Sequence, residues 1–519
     1  MTVATSGVVR RSGAGWWLRG VPLGPLFWLL LPMALAAQEE APPGTLHLRD
    51  ALRLARAGNT AIRLATEQTR VAWAGSLQAS APYDLNFTTS FTSVTSRSPV
   101  QVPGAVAALP DVSALKQLDY SVGLSKTFRS GLQLSPSVTV QRIDLSTTPG
   151  APVARSTVAL NALVPLLRDR AALNLRASGE VADAEVLASE DDRRHATAVA
   201  LQSVAAAYWA YVGGVRRLAA QQAAEARAQH TVEVTRRLIE ADERTPSDLD
   251  QVIANATQKT VLRLAAEQAL VQARQQLGVA MGLDPGAIAT LPLPADSFPA
   301  AAGNAAVPRL ADWQAQAVAG RRDLSAATTR ARATDWLERS AANDLRPRLD
   351  LSVGVGYQGI DQGNEADHTL GALFRNVPGL QATLQVRFQQ PTSGTLGHAR
   401  LVQAEATTAQ REATLADLRR RVLSSVEVAA RGLDNARVSV DAAGTAVAMA
   451  RRGVDHQERK FALGLATLFD VIQAQDALTA AELSEITSQQ AFAVAIAQLR
   501  LETATLVLDD APVDLLQAP

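Results

Sequence analysis

Cysteine is absent from the 519 residues of this chain, which excludes disulfide bridges and thiolate metal sites and argues against a lipid anchor on a terminal cysteine. Aromatic residues make up only 4 % of the sequence, few for the core of a large globular protein. An excess of one charge is also missing, because 50 basic and 50 acidic residues balance, so no net field favours nucleic acid. Alanine is abundant instead, which favours closely packed helices.

The N-terminus carries the longest apolar stretch, Val21–Ala36, and several arginines precede it. This order, with the small residues of Ala34-Leu35-Ala36 as a cleavage site, predicts a signal peptide over 1–36. A retained membrane anchor is the alternative. Three prolines interrupt the stretch, however, and it falls short of the about 20 residues that a span needs. A mature chain that enters a membrane must therefore do so as strands.

Strand-like alternation begins after Pro82. In the first half of the chain, four runs alternate apolar residues with Ser, Thr, Gln and Gly, and they start near Leu85, Tyr120, Leu132 and Val158. Such runs predict strands over about 84–164, and a second set over about 348–390. A soluble sandwich would alternate too. The uncharged polar face and the Phe and Tyr residues near these runs favour a membrane β-barrel.

Long helices separate the two sets of strands. From Arg168 to about Glu240 there is neither a proline nor a turn cluster, and apolar residues recur at spacings of three and four. They form a coiled-coil seam: Leu201, Val204, Tyr208, Tyr211, Val215 and Leu218. About seventy residues at about 1.5 Å each give a helix of roughly 100 Å. A second helix returns to about Leu283 and forms a hairpin with the first.

The order helix, helix, strands, long helix, turn, helix occurs twice, which indicates a tandem duplication. The predicted boundaries are a first repeat over 37–290, a linker over 291–306 and a second repeat over 307–519. The helical hairpins are predicted over about 166–283, with a tip near 245–250, and over about 392–508, with a tip near 461–470. At the second tip, Thr467 and Asp470 have the spacing of a helix N-cap and its third-residue acid, and Ser247 and Asp250 repeat that spacing at the first.

One chain cannot close such a barrel, because six candidate strands are too few for a passable lumen and an open sheet edge is not tolerated in lipid. The barrel must be shared among copies with cyclic symmetry. The long helical pairs also lack a core of their own, so a ring of hairpins would continue the barrel as a tube.

The chain resembles the TolC-like outer-membrane efflux proteins over nearly its whole mature length. The resembling segments are 46–65, Val164–Arg168, Arg322–Leu324 and 461–478. The resemblance implies an α+β membrane protein: a homotrimer whose twelve-stranded barrel, four strands per chain, contacts outer-membrane lipid and continues into a periplasmic α-helical coiled-coil barrel. It implies the channel of a tripartite efflux or type I secretion system in the cell outer membrane. The tips would meet a periplasmic adaptor and an inner-membrane pump of the RND, ABC or MFS type.

The sequence departs from the family at several positions. The first repeat has four alternating runs where the family has two membrane strands, so Tyr120–Val140 is interpreted as an extension or an extracellular hairpin. Where relatives latch the entrance with a Tyr and an Arg, this chain has Phe461 and Ala466, and a second expected acid is Gln473. The first tip has Arg244 at the position that matches Gly464.

Two groups of candidate site residues follow from the resemblance. The periplasmic entrance is assigned to Asp250, Asp470, Gln473 and Phe461. The adaptor-contacting tips are assigned to Arg244, Thr245, Gly464, Leu465, Ala466 and Thr467. Asp470 has two interpretations: it caps a helix through the helix dipole, or it also lines the entrance, where copies would concentrate negative potential and select cations.

Catalysis, cofactors and metals are not predicted. The six histidines lack ligand spacing, and the sequence has neither a phosphate-binding glycine loop nor a Ser/His/Asp grouping. The arginine pairs at 216–217, 236–237 and 451–452 are interpreted as solvated helix faces. Two alternatives to a channel stay open: a periplasmic adaptor, which would have one hairpin within a lipoyl-like β domain, and a coiled-coil scaffold without a pore.

Overall fold

The computed structural model describes residues 44–99, 112–145, 151–242, 245–301 and 309–506. The predicted signal peptide, Arg244 and part of the predicted linker lie outside these ranges. Within them the helices are α1 (Leu48–Gly58), α2 (Thr60–Ser80), α3 (Leu173–Glu240), α4 (Pro246–Met281), α5 (Pro285–Ala289), α6 (Leu310–Gly320), α7 (Arg322–Asp344), α8 (Ala366–Gly371), α9 (Thr395–Ala462) and α10 (Leu468–Glu502). The strands are β1 (Asn86–Pro99), β2 (Val112–Thr127), β3 (Gln133–Leu145), β4 (Val153–Pro165), β5 (Arg348–Gln362) and β6 (Leu380–Gln389).

The strands form one antiparallel sheet in chain order, β1-β2-β3-β4-β5-β6. All of the predicted alternating runs are strands of this sheet. The sheet has six strands, two more than the four barrel strands per chain that the resemblance implies. The difference is the β2–β3 hairpin, whose backbone groups pair with β1 on one side and with β4 on the other. The hairpin therefore lies within the sheet, between β1 and β4.

Two long helical hairpins account for most of the remaining chain. α3 and α9 each have 68 residues, about 100 Å of helix. α4 returns along α3 and α10 returns along α9, while α10 also packs against α3 and so joins the two hairpins. α4 ends at Met281, where Gly282 adopts a left-handed conformation with φ +76°. The helix therefore stops just before the Asp284–Gly286 stretch, which begins α5 instead.

The main core lies where α3 meets α1, α4 and α10. Tyr208, Trp209 and Tyr211 of α3 are 0–1 % exposed there, and Leu46, Leu277 and Ala497 surround them. Their three aromatic rings lie on the predicted coiled-coil seam or next to it. α3 is long and apolar enough to cross a membrane by composition, but over half of its most apolar window is buried within the protein. This apolar composition is therefore accounted for by helix packing.

Candidate functional site

The tip between α9 and α10 is a tight turn over 463–467. Gly464 has φ +72°, a conformation that glycine adopts without a Cβ clash. The amide of Leu465 donates to the carbonyl of Lys460 over 2.8 Å, which closes the end of α9. Thr467 then has extended backbone angles and caps α10. Glycine at the stop and threonine at the restart explain why two long helices reverse within a few residues.

Thr467 and Asp470 form the predicted capping box. The Thr467 amide donates to Asp470 Oδ2 over 2.8 Å, the Thr467 hydroxyl donates to the same oxygen over 2.6 Å, and the Asp470 amide approaches Thr467 Oγ1 at 3.3 Å. Hydrogen bonds from Thr467 hold the pKa of the Asp470 carboxyl below its ordinary value. Asp470 is therefore ionised at neutral pH and stays partly exposed at the tip.

The tip between α3 and α4 differs from its predicted form. Asp242 adopts a left-handed conformation with φ +62°, and α4 begins at Pro246 with Thr245 as its N-cap. The prediction that Ser247 caps the helix with Asp250 as third-residue acid is wrong, because Ser247 lies inside α4 and its hydroxyl contacts that of Thr245 at 2.8 Å. Proline favours the first helical position, and this sets the start two residues earlier. Asp250 is exposed.

An apolar cluster joins the two tips. Val252 of α4 packs with Leu468 and Ile472 of α10, and Val232, Leu249 and Phe461 border them. Phe461, which the resemblance placed at the entrance, is half-buried against this cluster. The structure therefore brings Phe461 together with residues of both hairpins, and its ring stabilises their packing.

Three apolar side chains at the second tip face solvent in the single chain. Leu463 is 73 % exposed, Leu465 is 75 % exposed and Phe469 is 57 % exposed. Leu465 was predicted as a contact residue, whereas Leu463 and Phe469 were not. The signal that could have found them is the sequence of the turn, which has large apolar residues on both sides of a glycine where polar ones are usual. Ala466 is half-buried, and Gln473 is exposed on the next turn of α10.

Polar contacts connect the two hairpins above the tips. The Lys259 ammonium of α4 lies 2.6 Å from the Asp476 carboxylate of α10, although the lysine is only 9 % exposed. Further along, Arg227 donates to the Thr479 hydroxyl over 3.0 Å. These contacts cross from the first repeat to the second and fix the spacing of α4 and α3 relative to α10.

One arginine pair was misjudged from the sequence. Arg216 and Arg217 were predicted to be solvated, but they are half-buried and donate to Gln489 over 3.1 Å and to Gln490 over 2.9 Å. Burial lowers the pKa of the Arg217 guanidinium. The prediction was wrong because α10 covers this face of α3, and sequence spacing does not show which helix comes to lie there.

The sheet has one apolar and one polar face. Phe87 and Phe91 of β1 and Leu384 and Phe388 of β6 are 61–72 % exposed, so the apolar face is uncovered at both edges of the sheet. The opposite face carries hydroxyl groups, such as the Ser90 and Ser121 side chains, whose oxygens lie 2.7 Å apart.

The described ranges contain no group of three or more His, Asp or Glu side chains that could hold a metal ion. Three histidines contact carboxylates instead: His47 with Asp296, His195 with Asp323 and His368 with Asp361. These contacts are ion pairs or hydrogen bonds within the fold.

Comparisons with known proteins concern both the sequence and the fold of this chain. Residues 313–505 match the family model described as outer membrane efflux protein. Among curated proteins, none has a recognisably similar sequence. The fold is similar to that of several solved channels, at low sequence identity.

Three of these structures illustrate the likeness. The CmeC outer membrane channel of Campylobacter jejuni has a TM-score of 0.68 and 14 % identity, covering 89 % of this chain and 87 % of that one. VceC of Vibrio cholerae has a TM-score of 0.65 and 18 % identity, covering 88 % and 96 %. The open state of the MtrE channel of Neisseria gonorrhoeae has a TM-score of 0.59 and 18 % identity, covering 88 % and 89 %. Residues 313–505 are thus similar to the outer membrane efflux protein family, and the chain has the fold of the solved outer-membrane channels.

Proposed function

We propose that this chain is the outer-membrane channel of a tripartite efflux or type I secretion system, a passive conduit without chemistry of its own. The observation that carries the proposal is the sheet: its apolar face is exposed at both edges, and β1 and β6 each pair with one neighbour in the chain. Lipid requires that backbone groups be paired, so these two edges need partners from other copies. A closed ring of copies satisfies both demands.

The number of copies is three, as in the family. In a trimer, the sheets form the barrel in the outer membrane, and the hairpins α3–α4 and α9–α10 form a tube of about 100 Å that extends into the periplasm. The polar face of the sheet, rich in hydroxyl groups, lines a water-filled lumen. The tips are then the periplasmic entrance.

The exposed tip residues supply the docking surface for a periplasmic adaptor. Leu463, Leu465 and Phe469 are uncovered apolar side chains, and such residues mark contact sites when they cluster. The adaptor connects the conduit to an inner-membrane pump of the RND, ABC or MFS type, which provides the energy. Gly464 and Thr467 shape the turn that presents this surface.

Membrane fractionation and conductance test this proposal together. The protein is expected in the outer membrane, to need detergent for extraction, and to conduct ions in planar bilayers. A salt-extractable monomer without conductance would overturn the proposal and favour a scaffold protein. A protein that fractionates with the inner membrane and does not conduct ions would favour an adaptor.

A further inference from the structure

The β2–β3 hairpin is the feature that the four-stranded pattern of the family does not account for. We propose that this hairpin crosses the outer membrane as part of the barrel wall and contacts lipid acyl chains, so that each protomer contributes six strands. The inference rests on the proposed function, because it assumes that the other four strands form such a wall.

The pairing of the hairpin is continuous along the sheet. β2 pairs with β1 from Asn86 opposite Ser125 to Pro99 opposite Val112. β3 pairs with β4 from Gln133 opposite Leu163 as far as Ile143. The sheet thus runs from β1 to β4 only through β2 and β3. If β1 and β4 span the membrane, the two strands between them must span it as well.

The β2–β3 hairpin extends over the full height of the sheet, because it makes contacts at both ends. At the helical end, its turn contains Gly131, and a Cβ there would lie 3.0 Å from the amide nitrogen of Ala172 at the start of α3. The neighbouring Arg129 stacks on the Tyr83 ring at 5.9 Å, next to the end of α2. At the opposite end, Arg142 donates to the carbonyl of Asn364 over 3.3 Å, in the β5–β6 connection.

The apolar residues of β2 have the extent of a membrane. Leu118, Tyr120, Val122 and Leu124 share one face, and Lys116 and Lys126 flank them on the same face. The two lysines are ten positions apart (126 minus 116), about 33 Å at about 3.3 Å per residue. A strand tilt of about 40° reduces this to about 25 Å, the height of the apolar band of outer-membrane barrels.

This apolar face is shared with the other strands. Tyr120 lies opposite Phe91 of β1 and opposite Val140 of β3, and directly opposed residues point to the same side. Val122 lies opposite Val138, which lies opposite Val158 of β4. Val158 lies opposite Tyr357 of β5, and Tyr357 lies opposite Leu380 of β6. The hairpin thus extends the same apolar surface that the proposed function assigns to lipid.

The other face of the hairpin suits a wet lumen. Ser121 lies within hydrogen-bond distance of Ser90, and Thr139 lies opposite Ser121 and Thr157. The polar face therefore continues across β1 to β4 as a ladder of hydroxyl groups. A hairpin outside the membrane would have no need for two faces of such different polarity.

Six strands per chain change the bore of the barrel. Three protomers with six strands each close a ring of eighteen strands, whereas four strands each would close one of twelve. At a strand spacing of about 4.8 Å and a tilt of about 40°, the backbone diameter is about 36 Å for eighteen strands and about 24 Å for twelve. Barrels of 16–18 strands leave an aqueous channel. The outer section would therefore admit bulkier hydrated cargo than a twelve-stranded barrel.

Cysteine labelling of the membrane-embedded protein tests the proposal, and the natural chain offers a background without cysteine. The test variants are Val122→Cys and Val138→Cys on the apolar face and Ser121→Cys and Thr139→Cys on the polar face. Leu384→Cys and Thr383→Cys in β6 form the matched control pair for the barrel itself. Each variant is reconstituted in liposomes, and the rate of its reaction with a water-soluble fluorescent maleimide is measured. A quencher attached to lipid then reports, by loss of fluorescence, which labels contact acyl chains.

We expect Val122→Cys and Val138→Cys to react at least about tenfold more slowly than their polar-face neighbours, because apolar surroundings raise the thiol pKa and only the thiolate reacts. Equal rates in β2 and β3 beside a clear contrast between Leu384→Cys and Thr383→Cys would overturn this inference alone. Equal rates in β6 as well would overturn the proposed barrel.

Discussion

The Tyr208 hydroxyl donates a hydrogen bond to Asp296 Oδ2 over 2.7 Å and ties α3 to the segment that joins the two repeats. The Leu48 amide donates to the same carboxylate over 2.6 Å, and His47 Nδ1 lies 2.8 Å from its other oxygen. Tyr208 is completely buried. One carboxylate of the linker therefore holds the first helix and the long helix α3 together.

Stability should depend on this carboxylate in acid. Burial by itself would raise the pKa of Asp296, but hydrogen bonds from His47, Leu48 and Tyr208 outweigh burial and leave the pKa below its ordinary value. A depressed folded pKa stabilises the fold above the unfolded pKa of about 3.9, and this stabilisation disappears as the pH falls through the folded value. Asp296→Asn should thus lower the free energy of unfolding by about 1–3 kcal/mol at pH 7 and reduce its further decrease as the pH falls below about 3.9.

Thermal unfolding of the detergent-extracted protein, followed across this pH range, measures the effect. Tyr208→Phe is the matched control, since it removes one donor and keeps the carboxylate, so its acid dependence should persist. Identical melting temperatures for Asp296→Asn and the natural protein at pH 7 would show that the carboxylate does not hold these elements together.

Neutralising Asp470 should change ion selectivity at the entrance. Asp470→Asn removes negative charge from each copy of the tip, so cation preference and block by divalent cations in planar bilayers should both decrease. Thr467→Ala is the control, because it weakens the cap by about 1 kcal/mol and keeps the charge. If the two variants have the same selectivity as the natural channel, Asp470 acts only as a helix cap.

Adaptor binding should require the exposed apolar residues of the second tip. Leu465→Asp should weaken copurification of the adaptor at least about tenfold, because a buried unpaired charge costs more than about 1.4 kcal/mol at an interface. Leu463→Asp and Phe469→Asp should also weaken copurification of the adaptor. Leu370→Asp, a residue that is 64 % exposed in α8, is the matched control. Normal adaptor recovery with all three tip variants would refute the docking surface.

The ion pair between Lys259 and Asp476 should restrain the entrance. Asp476→Asn leaves the buried Lys259 ammonium without its carboxylate, so we expect a loss of about 1–3 kcal/mol in stability and a higher conductance as the hairpins separate. Lys259→Met removes the charge that needs a partner, so it should raise conductance with a smaller loss of stability. Unchanged conductance in both variants would assign the pair a purely structural role.

Much of the fold could be predicted because its signals are local. Alternation at Leu351, Val353 and Val355 depends on the period of a strand, and β5 covers these residues. The seam residues Leu201 and Val204 repeat at helical spacing, and both are buried in α3. Periodicity of this kind reports which face of an element is apolar. It does not report which element covers that face.

Two differences from the predictions concern long-range partners. The run from Tyr120 to Val140 alternates as well as any other, yet only its pairing with β1 and β4 decides that it belongs to the sheet. Arg216 and Arg217 look solvated until α10 covers them. The prediction of a cap at Ser247 was wrong for a local reason. The preference of Pro246 for the first helical position competes with the preference of serine for the cap position.

The candidate site was predictable where one turn contains it. Thr467 and Asp470 are three residues apart and form their capping box without help from other elements. The cluster of Val252, Leu468 and Phe461 joins residues that are far apart in the chain, so its membership required the packed hairpins. The roles of the tips at an entrance and in docking stay predictions.

The mass of the particle extracted from the outer membrane tests the central claim most directly, because a sealed conduit requires several copies to pool their sheets. Native mass spectrometry of the detergent-solubilised protein should give three chains per particle. A particle of one chain that stays folded without lipid or detergent would contradict the account.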